Sequence, residues 1–580
     1  MDSVQSLKGY GKVDETDDRA LRRKLSWQRF FIAVCSIILI AAVVTIAIGI
    51  SLRKKHGGSG STSALSGMTP SASIKAVCNV TLYPDSCFSS ISKDKNSNTT
   101  DPVEIFKISL LVAMRELVGV DDHSNELLSQ VNDTLELSTL GVCQEVLADA
   151  VNALNESISI ADVKGGEIIS AKKIGDLRTW LSTVVSNQET CLDSLEDANS
   201  THLDDMKLAM TNSTEYSSNS LAIVTKIMGL LSKFHIPMHR RLLRFGVSDD
   251  PEFPTWLSPA DRRLLQETNP TPHLVVAQDG TGNYTTITEA LEAVPDKSSS
   301  RSVIYVKAGT YEDNVILTKN KWNVMIYGDG MTETIVTGSK NFVDGTSTLA
   351  TATFTAKGKG FIARDMGFMN TAGPKKHQAV AFRSASDLSV MYRCYFDAYQ
   401  DTLYAHTNRQ FYRECDITGT VDFIFGYGVV VIQNCNIRPR QPIAGQINTI
   451  TAQGRSDPNL KSGISIQGCT ITANGNLTAQ TYLGRPWKAY STTVFMQSSL
   501  GSFINPKGWT EWVRNVIPPS TIFYGEYLNT GPGSDTSGRV TWPGYKPALT
   551  SALAGSFTVN SFIDGSTWLP QLSLPFDSSL

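Results

Sequence analysis

Two aspartates are the residues best placed to do chemistry. Asp401 lies seven residues after Cys394, and Asp422 lies seven residues after Cys415. The cysteines mark matching points of a weak internal repeat, so the aspartates hold the same place in neighbouring copies. If the copies are stacked coils, the two carboxylates lie side by side, about 4.8 Å apart, the spacing of paired strands. Like charges that close do not both ionise cheaply, and one carboxyl holds its proton above its normal range. A neutral acid beside an ionised carboxylate divides acid–base and nucleophilic work between two side chains. An isolated Asp in such a fold would more simply cap a turn. Here Asp422 is followed by Phe423, Ile424 and Phe425, and an ionisable group in apolar company needs a partner.

The repeat that positions them aligns Asp365-Met366-Gly367-Phe368, Arg393-Cys394-Tyr395-Phe396, Glu414-Cys415-Asp416-Ile417, Asn434-Cys435-Asn436-Ile437 and Gly468-Cys469-Thr470-Ile471. Successive copies begin 28, 21, 20 and 34 residues apart, by subtraction of these numbers. The surrounding runs are short and β-rich, such as Ser302–Val306, Asn323–Tyr327 and Val429–Ile432. Short strands in a repeat of that size predict a solenoid, and with so little helix an all-β right-handed parallel β-helix over residues 271–580. Cys394, Cys415, Cys435 and Cys469 then form a ladder within disulfide reach. Cys415–Cys435 is the first pairing expected; Cys435–Cys469 is geometrically similar, and a column of buried thiols is the alternative.

Residues 74–232 read differently. Ile105, Ile108, Leu111, Val112 and Leu117 recur at helical spacing, predicting an all-α, four-helix-bundle-like domain. Its simplest disulfides are Cys78–Cys87 and Cys143–Cys191, although spacing alone leaves connectivity open. Residues 233–270 form a linker holding one basic tetrapeptide twice, Arg240-Arg241-Leu242-Leu243 and Arg262-Arg263-Leu264-Leu265. Three prolines between them discourage regular structure. A single basic pair would read as a solvated loop; the duplication at a domain boundary predicts cleavage by a processing protease.

Ahead of these lie a tail (1–29), an uncharged apolar run (30–52) and a Gly/Ser-rich linker (53–73). The run is long enough to span a bilayer. The arginines before it predict a cytoplasmic amino terminus and export of the chain beyond the run, with a cleaved signal peptide as the alternative to a signal anchor. Sequons at Asn79, Asn98, Asn132, Asn155, Asn199, Asn212, Asn283 and Asn476 fit a secreted glycoprotein. From Gln266 onward there are 25 Lys+Arg and 23 Asp+Glu, leaving 27 and 32 before it. Neither part has the strongly basic balance of a nucleic-acid binder.

At these residues the chain resembles plant pectin methylesterases. Five motifs occur in order: Gly309-Thr310-Tyr311-Glu312-Asp313, Gln378-Ala379-Val380-Ala381-Phe382, Gln400-Asp401-Thr402-Leu403, Asp422-Phe423-Ile424-Phe425-Gly426 and Leu483-Gly484-Arg485-Pro486-Trp487. The helical part resembles the pectin methylesterase inhibitor domain around Cys78–Cys87 and Asn187–Cys191. The resemblance implies hydrolysis of the C6 methyl esters of pectin to pectate and methanol, without metal or cofactor, in the extracellular cell wall. It makes Asp422 the nucleophile, Arg485 its orienting fork, Gln378 and Gln400 the oxyanion donors, and Asp401 the acid that becomes the base. Thr348, Gln378, Arg485 and Trp487 match substrate-binding positions, and Tyr404 and Phe425 either face sugar rings or pack the solenoid. The implied partners are pectin, a subtilisin-like processing protease and a proteinaceous inhibitor, with membrane contact only through the amino-terminal segment before processing. The helical part becomes an autoinhibitory or export module. Asp313, Phe382 and Tyr427 depart from the usual Glu, Leu and Asn, bearing on substrate preference.

Three other readings have weaker support. A polygalacturonase would show a Gly-His-Gly segment, which is absent; a pectate lyase would need clustered acidic calcium ligands, and none is seen. In the third the helical part is an inhibitor or chaperone module and the β-domain only binds wall polymer, which methanol release by the processed fragment would separate from an esterase. His377 and His406 lack a Ser-His-Asp pattern and are expected at the surface or rim.

Overall fold

The computed structural model describes residues 69–162, 169–228, 271–572 and 575–580. The tail, the apolar run 30–52 and both basic tetrapeptides lie outside the described residues. Among the described residues, no helix is long and apolar enough to cross a membrane. These residues fall into two compact units. One gathers those within Met1–Leu117, Leu154–Arg178 and Thr211–Arg241, the other those within Val118–Ala153, Thr179–Met210 and Leu242–Leu580.

Among the described residues the amino-terminal part has six α-helices, α1 (Pro70–Cys78), α2 (Pro84–Ser92), α3 (Pro102–Gln130), α4 (Thr134–Ala161), α5 (Ala171–Asp197) and α6 (Leu203–Ile223), and a π-helical turn at Val224–Met228. Thr69 caps α1 by accepting the Ala72 amide at 3.3 Å, with Pro70 in the first turn. In the first unit a Cys78–Cys87 disulfide closes α1 onto α2. The Asn219 side chain exchanges two 3.2 Å hydrogen bonds with the Tyr83 backbone. Ile105, Ile108, Val112 and Leu117 are buried as their spacing predicts, whereas Leu111 is exposed. In the second unit Cys143–Cys191 joins α4 to α5. All eight sequon asparagines are exposed, and Asn283 Oδ1 accepts the Val275 amide at 2.8 Å.

From Leu274 the second unit is a right-handed parallel β-helix of three sheets, with eleven, seven and eight strands, and every ladder is parallel. One coil runs Ser389–Tyr392, Tyr395–Asp397 and Leu403–Ala405, one strand in each sheet. The sequence repeat is the turn between the first two. Gly367, Tyr395, Asp416, Asn436 and Thr470 stand in register. Each copy opens on a left-handed residue: Asp365, Arg393, Glu414, Asn434 or Gly468, with φ of 53°, 51°, 54°, 53° and 63°. The next residue is buried in every copy.

The interior is a stack of like residues. Phe382 lies 5.6 Å from Phe354, 4.8 Å from Phe368 and 5.2 Å from Phe396, ring centre to ring centre. Each such contact adds about 0.5–1.5 kcal/mol to plain burial. The eleven-stranded sheet is apolar on both faces. Val430 and Ile432 point inward, while Val429 and Val431 pack against Val559, Ile563 and Leu569 near the carboxyl terminus. That is why Val429–Ile432 is continuously apolar rather than alternating.

The expected Cys415–Cys435 disulfide is not formed: Cys394, Cys415, Cys435 and Cys469 are free, buried thiols. Equivalent positions on parallel coils have parallel Cα–Cβ bonds, which do not converge as a disulfide requires. Instead each sulfur donates to the carbonyl two residues earlier, at 3.3–3.5 Å. Each of the last three also accepts the amide of the cysteine one coil before, over the same range.

Candidate active site

The site lies on the seven-stranded sheet. Asp401 and Asp422 each precede a strand of it by two residues, Leu403–Ala405 and Ile424–Gly426, and these strands pair with Leu403 opposite Ile424. The aspartates are therefore equivalent, as their spacing predicts. Both adopt left-handed backbone, φ 63° and 50°, which Asp tolerates better than most residues. Both are nearly buried, 7% and 5% exposed.

Their surroundings differ. Asp422 is gripped by Arg485: Nε donates to Oδ1 at 2.9 Å and to Oδ2 at 3.2 Å, and Nη2 donates to Oδ2 at 2.6 Å. Such a fork fixes carboxylate orientation as well as charge. Thr449 Oγ1 donates to Oδ1 at 2.6 Å. Asp401 has no comparable fork. Burial first, then the charge of Asp422 and that of Asp197, push its carboxyl well above the usual range, with Arg485 opposing. The pair thus sets a buried carboxyl whose pKa is pushed up beside one forked by a guanidinium.

Arg485 faces Ala452, which faces Phe425, which faces Tyr404, in successive strands. Trp487, two residues further along the chain, is half-buried. Its ring lies 5.0 Å from Tyr427 and 6.1 Å from Trp512. A Cβ on Gly454 would stand 2.8 Å from the Tyr427 ring and 2.9 Å from the Trp487 ring, so this approach needs glycine. Tyr404 and Phe425 are buried and stack on each other at 4.2 Å; in this state they are packing residues. Gln378 and Gln400 are half-buried and joined by a parallel bridge. Thr348 opens a short 3₁₀ turn ahead of the strand Phe354–Ala356.

Within the same unit, α4 and α5 bring acidic residues to this face. Asp193 binds Lys488, accepts from the Tyr427 hydroxyl, and has Glu189 beside it, 3.6 Å from Lys488. Burial, helped by the charges of Glu189 and Asp197 and opposed by Lys488, pushes Asp193 up to about 7. Glu145 bridges Arg383 and Lys357 at 2.8 and 3.1 Å. Burial alone would raise its pKa, but the two cations outweigh it and hold the group at about 2.

His377 is exposed, as expected. His406 is not at the rim: it is 1% exposed, accepts from Arg383 at 3.3 Å and meets Thr190 Oγ1 at 2.9 Å. Burial and the Arg383 charge hold it well below its ordinary pKa, a neutral packing residue. The departures at Asp313 and Phe382 also have structural roles: Asp313 accepts from Thr288 at 2.8 Å, and Phe382 centres the aromatic stack. Sequence reasoning missed Thr449 and Trp512, whose ring lies 4.2 Å from the Arg485 guanidinium. Neither falls in one of the five motifs. Thr449 stands 27 residues after Asp422, because an irregular loop lengthens that coil and hides the register.

Residues 273–566 match the pectinesterase family, and residues 72–223 match the plant invertase/pectin methylesterase inhibitor family. Pectinesterase 3 of Phaseolus vulgaris is 53% identical over 591 residues, covering 100% of both chains. Pectinesterase 1 of Arabidopsis thaliana is 52% identical over 581 residues, covering 98% of each. Among solved structures, a pectin methylesterase from carrot is 52% identical, with a TM-score of 0.53, and covers 54% of this chain and 100% of its own.

Proposed function

This chain belongs to the pectinesterase family of carboxylic ester hydrolases, and on that premise we propose that Asp422 and Asp401 hydrolyse the C6 methyl esters of pectin. The observation that carries the reading is the asymmetry of the pair: Asp422 is clamped by Arg485, while Asp401 lacks a fork and burial and the Asp422 charge push its carboxyl well above its usual range. An oxygen of Asp422 attacks the ester carbonyl, forming a C–O bond. The carbonyl electrons move onto oxygen, where the amides of Gln378 and Gln400 donate to the oxyanion. The intermediate collapses by breaking the bond to methoxide, which takes the Asp401 proton and leaves as methanol. Asp401, now ionised, removes a proton from water. The resulting hydroxide cleaves the Asp422 anhydride, releasing pectate and restoring both groups. Trp487 and Thr348 hold the polymer.

The same reading covers the rest of the chain. The apolar run 30–52 directs export to the cell wall, a subtilisin-like protease cuts at the two basic tetrapeptides, and the helical part restrains the enzyme beforehand. The bonds of Asp193 to Lys488 and Tyr427, around Trp487, support that restraint.

The test is methanol release from methylated pectin by the protein recovered from the medium of secreting plant cells. Asp422→Asn should be inactive, since an amide is a poor nucleophile. Asp401→Asn should lose about 10²–10⁴-fold in turnover yet still bind pectin. Near-normal turnover by a folded Asp422→Asn enzyme would overturn the assignment.

A further inference from the structure

The two aspartates occupy equivalent places but hand their backbone amides to different acceptors. The Asp401 amide donates to the Val421 carbonyl of the next coil at 3.0 Å, continuing the ladder. The Asp422 amide donates instead to the Thr449 hydroxyl at 2.9 Å. That hydroxyl, fully buried, is also 2.6 Å from Asp422 Oδ1. A hydroxyl has one proton, and an amide can only donate. The direction of the chain is therefore fixed: Asp422 N–H to Thr449 Oγ1, and Thr449 O–H to Asp422 Oδ1. Backbone and side chain of one residue are closed into a ring by a hydroxyl from the next coil.

We propose that Thr449 is a positioning residue of the reaction: it locks the Asp422 side chain onto its left-handed backbone and leaves Oδ2 as the attacking oxygen. The inference rests on Asp422 being the nucleophile. A carboxylate oxygen has two in-plane acceptor positions. On Oδ1 both are filled, by Thr449 at 2.6 Å and by Arg485 Nε at 2.9 Å. On Oδ2 only Nη2 is close, at 2.6 Å, the shared Nε standing off at 3.2 Å. Oδ2 keeps a lone pair for the ester carbon. Without the hydroxyl, the carboxylate pivots about the Arg485 fork, and the Asp422 amide loses its acceptor in a buried turn. Reaction geometry is lost through small rotations, so the damage falls on turnover rather than on polymer binding.

The experiment compares Thr449→Val, which keeps the shape and removes the hydroxyl, with Thr449→Ser, which restores it, in the secreted enzyme. The expected result is a kcat about 10–100-fold lower in Thr449→Val, with KM within about twofold, and recovery to within about threefold in Thr449→Ser. A purely structural role would lower the melting temperature of both variants and leave their kcat equal, overturning the proposal; so would a Thr449→Val enzyme with wild-type kcat. If the valine variant does not fold, Thr449→Cys replaces it, and its weakly donating thiol must fall below serine in kcat. Asp422→Asn is run alongside. If it stays active, the nucleophile assignment fails; if it is inactive while Thr449→Val turns over normally, only the role of Thr449 fails.

Discussion

Arg485→Ala gives the sharpest numerical test of the aspartate pair. The guanidinium makes a two-pronged contact with a carboxylate that is 5% exposed. Hydrogen bonds to charged groups contribute about 1.5–3 kcal/mol each, so the fork accounts for about 3–6 kcal/mol of orientation. The Arg485 side chain is itself 22% exposed, and water entering the vacated space offsets part of this, leaving about 2–4 kcal/mol. At about 1.36 kcal/mol per decade, that is about 30–1000-fold in kcat. Arg485→Lys restores the charge as a point donor but not the second prong, and should recover about tenfold. Trp512 loses its guanidinium neighbour in the alanine variant, so KM should rise modestly there. The assay is initial methanol release at saturating methylated pectin. An alanine variant keeping more than a third of wild-type kcat, or a lysine variant no better than alanine, would refute the view that the fork aims the nucleophile.

Four further outcomes are expected. The contact of α5 should loosen between pH 5 and 8 while that of α4 does not. Asp193 binds its proton more tightly in the folded chain, so its contribution is full below its ordinary 3.8 and fades as pH rises through about 7; Glu145 contributes above its ordinary 4.5 and fails only as pH falls toward 2. Hydrogen exchange, corrected for intrinsic rate, should show residues 185–197 losing protection as pH rises, and a gain in protection there would contradict the sign. Phe382→Ala should destabilise the solenoid by about 3–5 kcal/mol in urea, and a loss under about 1 kcal/mol would mean that the aromatic stack is not specifically packed. Peptide mapping after alkylation should find Cys394, Cys415, Cys435 and Cys469 unlabelled in the native protein and all labelled once it is unfolded, whereas a recovered Cys415–Cys435 cross-link would restore the disulfide. Changing Arg240, Arg241, Arg262 and Arg263 together to Ala should leave only precursor-sized protein in the medium; a fragment of mature size would sink the processing assignment.

Much of the solenoid was legible because its turns impose a local demand at a fixed place. A left-handed residue followed by a buried side chain recurs from Asp365 to Gly468, and that conjunction is what the alignment of Cys394, Cys415, Cys435 and Cys469 detected. The step from Cys to Asp was legible for the same reason, since seven residues carry the chain from one corner to the next in both coils. What escaped depends on partners far along the chain. His406 reads as a polar residue near a motif, but Arg383, Thr190 and the Tyr404 ring bury it. The cysteine ladder suggested a disulfide because stacking gives proximity, but spacing carries no information about bond direction. The contact of the Tyr427 hydroxyl with Asp193 of α5 is another partner far along the chain that the sequence does not show.

On the proposed assignment, the division of labour between the aspartates arises from the coil that comes after each. Asp401 is followed by the coil of Asp422, whose Val421 carbonyl takes its amide and whose carboxylate presses on its own. Burial first, and then that neighbour's negative charge, push the Asp401 carboxyl up. Asp422 is followed by the coil of Thr449, which supplies a hydroxyl where the previous coil supplied a carbonyl, and the strand beyond supplies Arg485. Those neighbours offer donors, and the carboxylate is held by them. One backbone position, used twice, thus gives two aspartates unlike surroundings, with no difference in residue type between them. If Asp422 is the nucleophile, shortening the irregular loop that brings Thr449 into register with it should lower kcat for methanol release before it lowers the melting temperature.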